Sequence, residues 1–205
     1  MAILFATSNP HKLRELWQIL TPLGVEVRGL DSLGRNHPEP AEEGATFEEN
    51  ARIKATAYAQ LAGMPCLAED SGLEVDALGG APGVHTARYS GLGAGREERD
   101  RANNEKLLRE LEGVPDEARA ARFVSALCFV DARGRVLYET RGVYEGRIAR
   151  APSGENGFGY DPLLYLPDVG KTSAELEPDE KNARSHRGRA VRAQAEWLRE
   201  NPKYR

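Results

Sequence analysis

The sequence opens with an apolar run that passes at once into a helical pattern. Residues Ala2–Ala6 are all apolar, as expected of a strand buried on both faces. In Lys12–Leu23, large apolar residues recur at spacings of three and four, which predicts an amphipathic helix. Gly24 predicts the end of this helix, and Val25–Val27 is predicted to form a short strand. This strand–helix–strand order limits the fold to the mixed α/β class.

The rest of the chain continues to alternate. Thr46 and Glu49 have the capping-box spacing and predict a helix to about Ala62. The further predicted elements are strands 66–70 and 73–78 joined through Ser71 and Gly72, a helix over 97–111, strands 121–131 and 135–148 joined as a hairpin, and a closing helix over 186–200. Segments 33–44, 79–95 and 151–162 are rich in Gly or Pro and predict loops. We therefore expect a mixed sheet with at least one antiparallel pair.

Composition narrows the class of protein. A chain of 205 residues suits one domain or two intimate lobes. The net charge of −4 gives no basic surface for nucleic acid or an anionic membrane. No run of about 18 apolar residues is present to span a bilayer, and the apolar N-terminus has no basic flank. Cys66 and Cys128 lie inside apolar runs, where we expect buried thiols and a cytoplasmic protein.

The first turn is a candidate anion site. It consists of Thr7, Ser8, Asn9, Pro10, His11 and Lys12. It follows a buried strand and precedes a helix start, where free backbone N–H groups and the helix dipole favour phosphate oxygens. It is not a Walker A loop, because it has no glycine. The alternative is a capped helix start with a solvated lysine.

Two adjacent acids suggest a metal site. Glu69 and Asp70 are expected at the end of a strand, before a sharp turn at Ser71 and Gly72. Carboxylates there can bind a hard cation and activate water. Because successive strand side chains point to opposite faces, the two acids are expected to have different roles. The alternative is an aspartate that caps the turn. The acidic segment Glu39–Glu43 could supply a second ligand, although such segments are often only solvated.

Two late segments could contact a nucleoside. Phe158, Gly159, Tyr160 and Asp161 lie in a Gly-rich loop, where an aromatic ring can stack on a base or simply anchor the loop. The basic segment Lys181–Arg187 offers hydrogen-bond donors at a helix start, or is a capped, basic helix entry.

The short motifs are informative when they are taken together, in their order along the chain. The chain carries, in sequence, ATSNPHK at 6–12, TFEEN at 46–50 with Lys54, AEDSGL at 68–73, GAPG at 80–83 with ARYSG at 87–91, FGYDP at 158–162 and SHR at 185–187. This series closely resembles the inosine triphosphate pyrophosphatase family, whose members are also called dITP/XTP pyrophosphatases. It extends from residue 6 to residue 187.

The resemblance implies an elongated mixed sheet with flanking helices, forming two lobes around a central groove within a single domain over 1–205. It also implies a homodimer and Mg²⁺-dependent cleavage of ITP, dITP and XTP to monophosphate and pyrophosphate. The residues of the first turn would hold the triphosphate, with Lys54 as a further contact. Asp70 would bind the metal and act as general base, with Ser71 beside the substrate. Phe158, Gly159, Tyr160, Asp161 and Lys181 would line the nucleoside pocket, and His186 and Arg187 would read the base.

The sequence departs from the family pattern at one acid. The family's usual Asp-Asp pair is Glu69-Asp70 here. The second metal ligand is a glutamate just ahead of the segment Gly44–Phe47, for which both Glu42 and Glu43 are available. We assign Glu42, with Glu43 and Glu69 as the alternatives.

Base selection has a physical rationale. Hypoxanthine and xanthine carry a carbonyl acceptor at C6, which the donors of His186 and Arg187 can meet. Adenine places an amino group there, so donors would face donors in a buried site. The same argument does not separate GTP. Two other functions remain open: a non-catalytic nucleotide-binding protein, and a pyrophosphatase for modified pyrimidines.

Overall fold

The computed structural model describes residues 2–34 and 38–204, with the backbone alone at His11. Within these residues the chain forms seven strands and five α-helices. In chain order they are β1 (Ala2–Ala6), α1 (Pro10–Leu20), β2 (Glu26–Arg28), α2 (Phe47–Ala62), β3 (Cys66–Val75), α3 (Arg96–Glu110), β4 (Ala120–Val130), β5 (Val136–Ile148), β6 (Leu164–Leu166), β7 (Lys171–Thr172), α4 (Pro178–Arg184) and α5 (His186–Glu200). Short 3₁₀ helices lie between several of them.

The strands form one mixed sheet in the order β2-β1-β3-β4-β5-β6-β7. β1 pairs in parallel with both β2 and β3, and Ala6 lies opposite Ala68 of β3. β5 to β7 are antiparallel, with Ile148 opposite Leu164 and Leu166 opposite Lys171. A mixed sheet flanked by helices confirms the predicted fold class.

The chain divides into two compact units. The first comprises Met1–Asp70, Ser125–Gly142 and His186–Arg205. Its core packs the apolar face of α1 and α5 against β1, β3 and β4. Trp197 of α5 stacks between Tyr138 and Tyr204, at ring-centroid distances of 5.2 and 5.4 Å. Aromatic burial of this kind attaches the C-terminal segment to the unit.

The second unit comprises Ser71–Val124 and Val143–Ser185. Its core is built from the second half of β3, from α3, and from β6 with the loops around it. Arg119 is buried and donates hydrogen bonds to the carbonyl oxygens of Leu111, Ile148 and Ala149 at 2.8–3.1 Å. These bonds satisfy carbonyl oxygens at the ends of α3 and β5, where the regular backbone hydrogen bonds of the helix and the sheet end.

Most predicted elements are confirmed. β1, α2, the hairpin strands β4 and β5, and α5 agree with prediction to within a residue or two. The first helix begins earlier than predicted, because Pro10 occupies its first position, where the missing N–H is not needed. It ends at Leu20 and is followed by a 3₁₀ turn that Gly24 closes with a φ of 73°. β6, β7 and α4 lay in segments for which no element was predicted.

One prediction is wrong. The two strands expected at 66–70 and 73–78 are a single strand, β3, which runs through Ser71 and Gly72 without a turn. The composition Ser-Gly suggests a turn locally, but Gly72 is buried and Leu73 is fully buried. Burial of that segment in the sheet therefore overrides the local turn preference. Glu69 and Asp70 lie in the middle of β3, not at its end.

Two further features concern the cysteines and membrane-spanning helices. Cys66 and Cys128 are free and buried, as predicted. Burial raises the pKa of the Cys128 thiol to about 12, so it is protonated at neutral pH. No helix in the described part of the chain combines the length and the apolar character needed to cross a membrane.

Candidate active site

The first turn lies next to the acids of β3 because of the strand register. Ala6, the last residue of β1, is opposite Ala68, so the turn that follows β1 starts beside Glu69. Within it, the Asn9 backbone N–H donates to Thr7 Oγ1 at 3.1 Å, and α1 starts at Pro10. The strand–turn–helix setting predicted for this segment is confirmed. The His11 side chain lies outside the described part of the structure.

Glu69 is the centre of a buried ion cluster in the first unit. Its Oε1 accepts a hydrogen bond from Ser125 Oγ at 2.7 Å, and both carboxylate oxygens accept from Arg187 Nε at 2.9 and 3.0 Å. Lys12 Nζ lies 3.3 Å from Oε2. Arg187 is held from its other side by Glu15, whose Oε2 accepts from Nη1 at 2.6 Å.

Charge compensation determines the ionisation of this cluster. Burial alone raises the pKa of Glu69, but Arg187 and Lys12, with the hydrogen bonds from Arg187 and Ser125, lower it well below its usual range. Burial lowers the pKa of the Lys12 ammonium despite the opposing charge of Glu69. Burial also disfavours the charged form of Arg187, yet Glu69 and Glu15 together raise its pKa. Glu69 and Arg187 are thus both charged at neutral pH.

Asp70, the next residue of β3, has entirely different partners. Its Oδ2 accepts a hydrogen bond from Asn50 Nδ2 at 3.1 Å, and its Oδ1 accepts from Lys54 Nζ, also at 3.1 Å. Lys54 Nζ lies 3.3 Å from Glu42 Oε1 as well. Successive residues of a strand face opposite sides, so the predicted division of roles between the two acids agrees with their contacts.

The pKa of Asp70 is raised from its ordinary value. Burial is the main cause, and the negative charge of Glu42 adds to it. Lys54 and the hydrogen bonds from Lys54 and Asn50 oppose the rise. A carboxylate with a raised pKa is a stronger base than a solvated one, which is the property that a general base requires.

The donor set around Lys54 fits a hard cation. Glu42 and Asp70 place one carboxylate oxygen each within 3.3 Å of a single ammonium group, so a positive charge already lies between them. In the part of the chain that the structure describes, no three His, Cys, Asp or Glu side chains are grouped to hold a metal. Mg²⁺ does not need three, because it is usually held by one or two carboxylates plus substrate phosphates and waters.

The structure separates the alternatives left open for the second ligand. Both oxygens of Glu69 already accept from Arg187, and one also from Ser125. Glu42 and Glu43 are both exposed, but Glu43 lines a surface pocket with Glu49 and Arg52. Glu42 is the glutamate that shares Lys54 with Asp70. The geometry therefore favours the pair Glu42 and Asp70.

Asp161 organises the candidate nucleoside segment of the second unit. Its Oδ2 accepts from the Phe158 backbone N–H at 2.8 Å and from Lys181 Nζ at 2.5 Å, and its Oδ1 accepts from Ser173 Oγ at 2.9 Å. Gly157 has a φ of 83°, and a Cβ there would overlap Asp161 and lie 2.8 Å from Lys181 Nζ. The loop can therefore close around Asp161 only because that position is glycine.

The aromatic residues of this segment have separate environments. Phe158 is half-buried, with the guanidinium of Arg96 4.6 Å and Lys181 Nζ 5.5 Å from its ring centre. Tyr160 is buried and donates its hydroxyl to the Thr86 carbonyl oxygen at 2.9 Å. Phe158 is thus the ring with an accessible surface, whereas Tyr160 anchors the loop.

The predicted site residues are divided between the two compact units. In the first unit these are the turn from Thr7 to Lys12, Glu42, Lys54, Asp70, His186 and Arg187. In the second they are Ser71, Phe158 to Asp161 and Lys181. Their assigned roles toward substrate and metal stay predictions. Arg187, predicted to read the base, is 4% exposed and paired with Glu69 and Glu15, so it is also a structural cation.

Sequence reasoning missed three residues of the site. Asn50 stood inside the motif TFEEN, where a polar residue on the buried side of a helix was the available signal. Ser125 lies in an apolar strand, where a single buried hydroxyl signals a hydrogen-bond partner but not which one. Glu15 has no local signal, because its partner Arg187 is 172 residues away in the chain.

The sequence model of the Ham1 family matches residues 3–197. The chain belongs to the Ham1 family. A curated relative from Exiguobacterium sp., named dITP/XTP pyrophosphatase, is 53% identical over 192 residues, covering 94% of each chain.

Solved structures agree with the fold. A HAM1 protein from Coxiella burnetii has a TM-score of 0.89 and 40% identity, covering 98% of this chain and 99% of that one. A protein from Mycobacterium abscessus, described as a nucleoside-triphosphatase and dITP/XTP pyrophosphatase, has a TM-score of 0.78 and 46% identity over 95% of this chain and 97% of that one. The predicted family and fold class are thereby confirmed.

Proposed function

We propose that this chain hydrolyses non-standard purine nucleoside triphosphates, namely ITP, dITP and XTP, to the nucleoside monophosphate and pyrophosphate. The observation that carries the proposal is the near-full-length similarity to relatives named dITP/XTP pyrophosphatase, at 53% identity in the Exiguobacterium protein. The geometry supports it, because one unit holds cationic groups beside a paired-carboxylate site suited to phosphate and metal.

Asp70 is the proposed general base. Hydrolysis between the α- and β-phosphates needs a water molecule from which a proton is taken as the oxygen attacks phosphorus. The Asp70 carboxylate can accept that proton, and its hydrogen bonds from Asn50 and Lys54 keep it in one orientation. Lys54 and Lys12 contribute positive charge toward the phosphate oxygens, which supports a reaction that depends mostly on positioning and charge neutralisation.

Mg²⁺ is the proposed cofactor, and Glu42 and Asp70 are the residues that would hold it. When bound, the ion would neutralise phosphate charge and lower the pKa of a bound water. Lys54, which lies between the two carboxylates, would then be available to the substrate phosphates. Glu69 has a different part: it holds Lys12 and Arg187 in place through the contacts described above.

The second unit holds the loop that is proposed to contact the nucleoside. Phe158 offers a ring face for stacking, and Lys181, which donates one hydrogen bond to Asp161, has further N–H donors. His186 and Arg187 would supply the donors that meet a C6 carbonyl. Glu69 and Glu15 hold the Arg187 guanidinium in one orientation, in which it would meet the base. A homodimer in the cytoplasm belongs to the same proposal, on the strength of the family resemblance.

The test is a panel of nucleotides with Mg²⁺, in which pyrophosphate and orthophosphate are assayed separately. ITP, dITP and XTP should release pyrophosphate far faster than ATP, GTP, dTTP or UTP. Asp70→Asn is the control variant. It should bind ITP but release pyrophosphate at least about 100-fold more slowly, because a general base contributes a factor of that size.

Three outcomes would contradict the proposal. Orthophosphate as the first product would place the cleavage at another bond. Equal rates for dTTP or UTP would favour a pyrimidine pyrophosphatase. Binding of ITP by the wild type without turnover would indicate a non-catalytic nucleotide-binding protein.

A further inference from the structure

Asn50 links two parts of the proposed metal site. Asn50 is 1% exposed, and its carboxamide donates one hydrogen bond and accepts another. Nδ2 donates to Asp70 Oδ2 at 3.1 Å, and Oδ1 accepts from the Gly44 backbone N–H at 2.8 Å. Gly44 lies two residues after Glu42, in the segment that leads into α2. One side chain therefore contacts Asp70 and the segment that carries Glu42.

We infer that Asn50 is a positioning residue that sets the separation of Glu42 and Asp70, and so the affinity of this pair for a divalent cation. The inference rests on the proposed function for the identity of the two ligands. An amide suits this role, because it donates to a carboxylate at one end and accepts from a backbone N–H at the other. Residues that orient metal ligands in this way affect metal affinity strongly without touching the metal.

The close approach at Gly44 is independent support. A Cβ at Gly44 would lie 2.7 Å from Asn50 Oδ1 and 2.7 Å from Glu49 Cβ. Such contacts are well inside van der Waals distance, so the segment can reach the Asn50 carboxamide only where the residue has no side chain.

The bonds of Asn50 are not needed to begin the helix. Thr46 Oγ1 accepts from the Glu49 backbone N–H at 3.2 Å, and Glu49 Oε2 accepts from the Ala45 N–H at 2.7 Å. The start of α2 is therefore capped by the side chains of Thr46 and Glu49 without any contribution from the Asn50 side chain. This separation allows capping and positioning to be tested by different substitutions.

Three variants distinguish the two roles. Asn50→Leu keeps the size of the side chain and removes both hydrogen bonds. Gly44→Ala places a Cβ 2.7 Å from Asn50 Oδ1, which displaces the segment that carries Glu42 and breaks its hydrogen bond to Asn50. Thr46→Ala, the matched control, removes the cap of the same helix and touches neither carboxylate. For each, Mn²⁺ binding to the nucleotide-free protein is measured by water-proton relaxation, and kcat and the Mg²⁺ concentration for half-maximal rate are measured with ITP.

We expect a distinct pattern from each variant. Asn50→Leu should lower Mn²⁺ affinity about tenfold or more, the range found for residues that orient metal ligands, and should lower kcat as well. Gly44→Ala should lower metal affinity by a similar factor, because the bond between Gly44 and Asn50 is lost and the segment that carries Glu42 is displaced. Thr46→Ala should match the wild type in both measurements.

Equal Mn²⁺ affinity in the wild type and Asn50→Leu would overturn the inference, whether or not the protein hydrolyses ITP. An equal loss in Thr46→Ala would also overturn it, because the effect would then belong to the helix start. If Asn50→Leu does not fold, Gly44→Ala decides: unchanged Mn²⁺ affinity in that variant contradicts the inference. A wild type that releases no pyrophosphate would instead overturn the proposed function and leave the Mn²⁺ comparison intact.

Discussion

Two neighbouring carboxylates of β3 have opposite ionisation properties because of their partners. Glu69 is surrounded by Arg187, Lys12 and Ser125, which lower its pKa. Asp70 has one ammonium partner, which Glu42 shares, and its pKa is raised. Burial acts in the same direction on both, so the difference comes from the number of charges and donors around each acid. Glu69 is therefore ionised at neutral pH, and Asp70 retains the basicity that proton transfer needs.

The charge of Glu69 makes stability depend on pH. Its pKa in the folded protein is depressed below the ordinary value of 4.5, so it contributes stability above that pH, and the contribution is lost as the pH falls toward the folded pKa. Glu69→Gln leaves Arg187 with one partner less. We expect it to lower the free energy of unfolding at pH 7 by about 3 kcal/mol, as for other broken buried pairs.

The measurement is urea unfolding of the wild type and Glu69→Gln at pH 7 and pH 4, with a chelator present. The difference between them should shrink by about 1 kcal/mol at pH 4, where the unfolded carboxyl is already largely protonated. A difference that stays constant with pH would mean that packing, and not charge, accounts for the loss.

At the scale of elements, β3 shows how burial decides between a turn and a strand. Ser71 and Gly72 predict a turn by composition, yet β3 continues through them to Val75. Leu73 and Val75 are fully buried in the core of the second unit, which a turn at 71–72 would not allow. The strand therefore carries Asp70 and Ser71 as consecutive residues of the first and second units.

The contact between β5 and the start of α5 depends on a glycine. A Cβ at Gly142 would overlap the His186 carbonyl oxygen and lie 2.8 Å from the Ala190 nitrogen. Both are backbone atoms and cannot rotate away. We expect Gly142→Ala to lower the free energy of unfolding by about 2–3 kcal/mol, as overpacking does, and to displace His186.

A second glycine serves as the control. Gly63 ends α2 with a φ of 63°, and a Cβ there would meet nothing within 4 Å. Gly63→Ala should therefore lower the free energy of unfolding by about 1 kcal/mol, which is the cost of placing an alanine at a positive φ. Equal midpoints for the two variants in chemical unfolding would show that the close approach at Gly142 is relieved without strain.

At the scale of the whole molecule, the proposed homodimer predicts a definite mass. The chain has a mass of 22.5 kDa, and sedimentation equilibrium should give twice that value at micromolar concentration. Because dimers assemble by mass action, dilution should shift the mass downward only near the dissociation constant. A mass of one chain at all concentrations would contradict the dimer, and hydrolysis of ITP by such a monomer would show that dimerisation is not required.

The sequence predicted those elements whose determining residues lie within a few positions of one another in the chain. Period and capping predicted α2, since Thr46, Glu49 and the apolar spacing lie within a few residues. Alternation in residues 121–131 and 135–148, with only three residues between them, predicted the hairpin. The short strands β6 and β7 have three and two residues, too few for a period to be recognised, and their pairing forms them.

The sequence alone determined the class of fold, the order of most elements and, through the ordered motifs, the family to which the chain belongs. The tertiary structure decided which charges meet. Glu69 and Arg187 are 118 residues apart, Asn50 and Asp70 are 20 apart, and Lys54 reaches both Glu42 and Asp70. Such pairings follow from strand register and from the side on which each helix packs. Both are set by burial of the whole core, and local periodicity and motif spacing do not encode them.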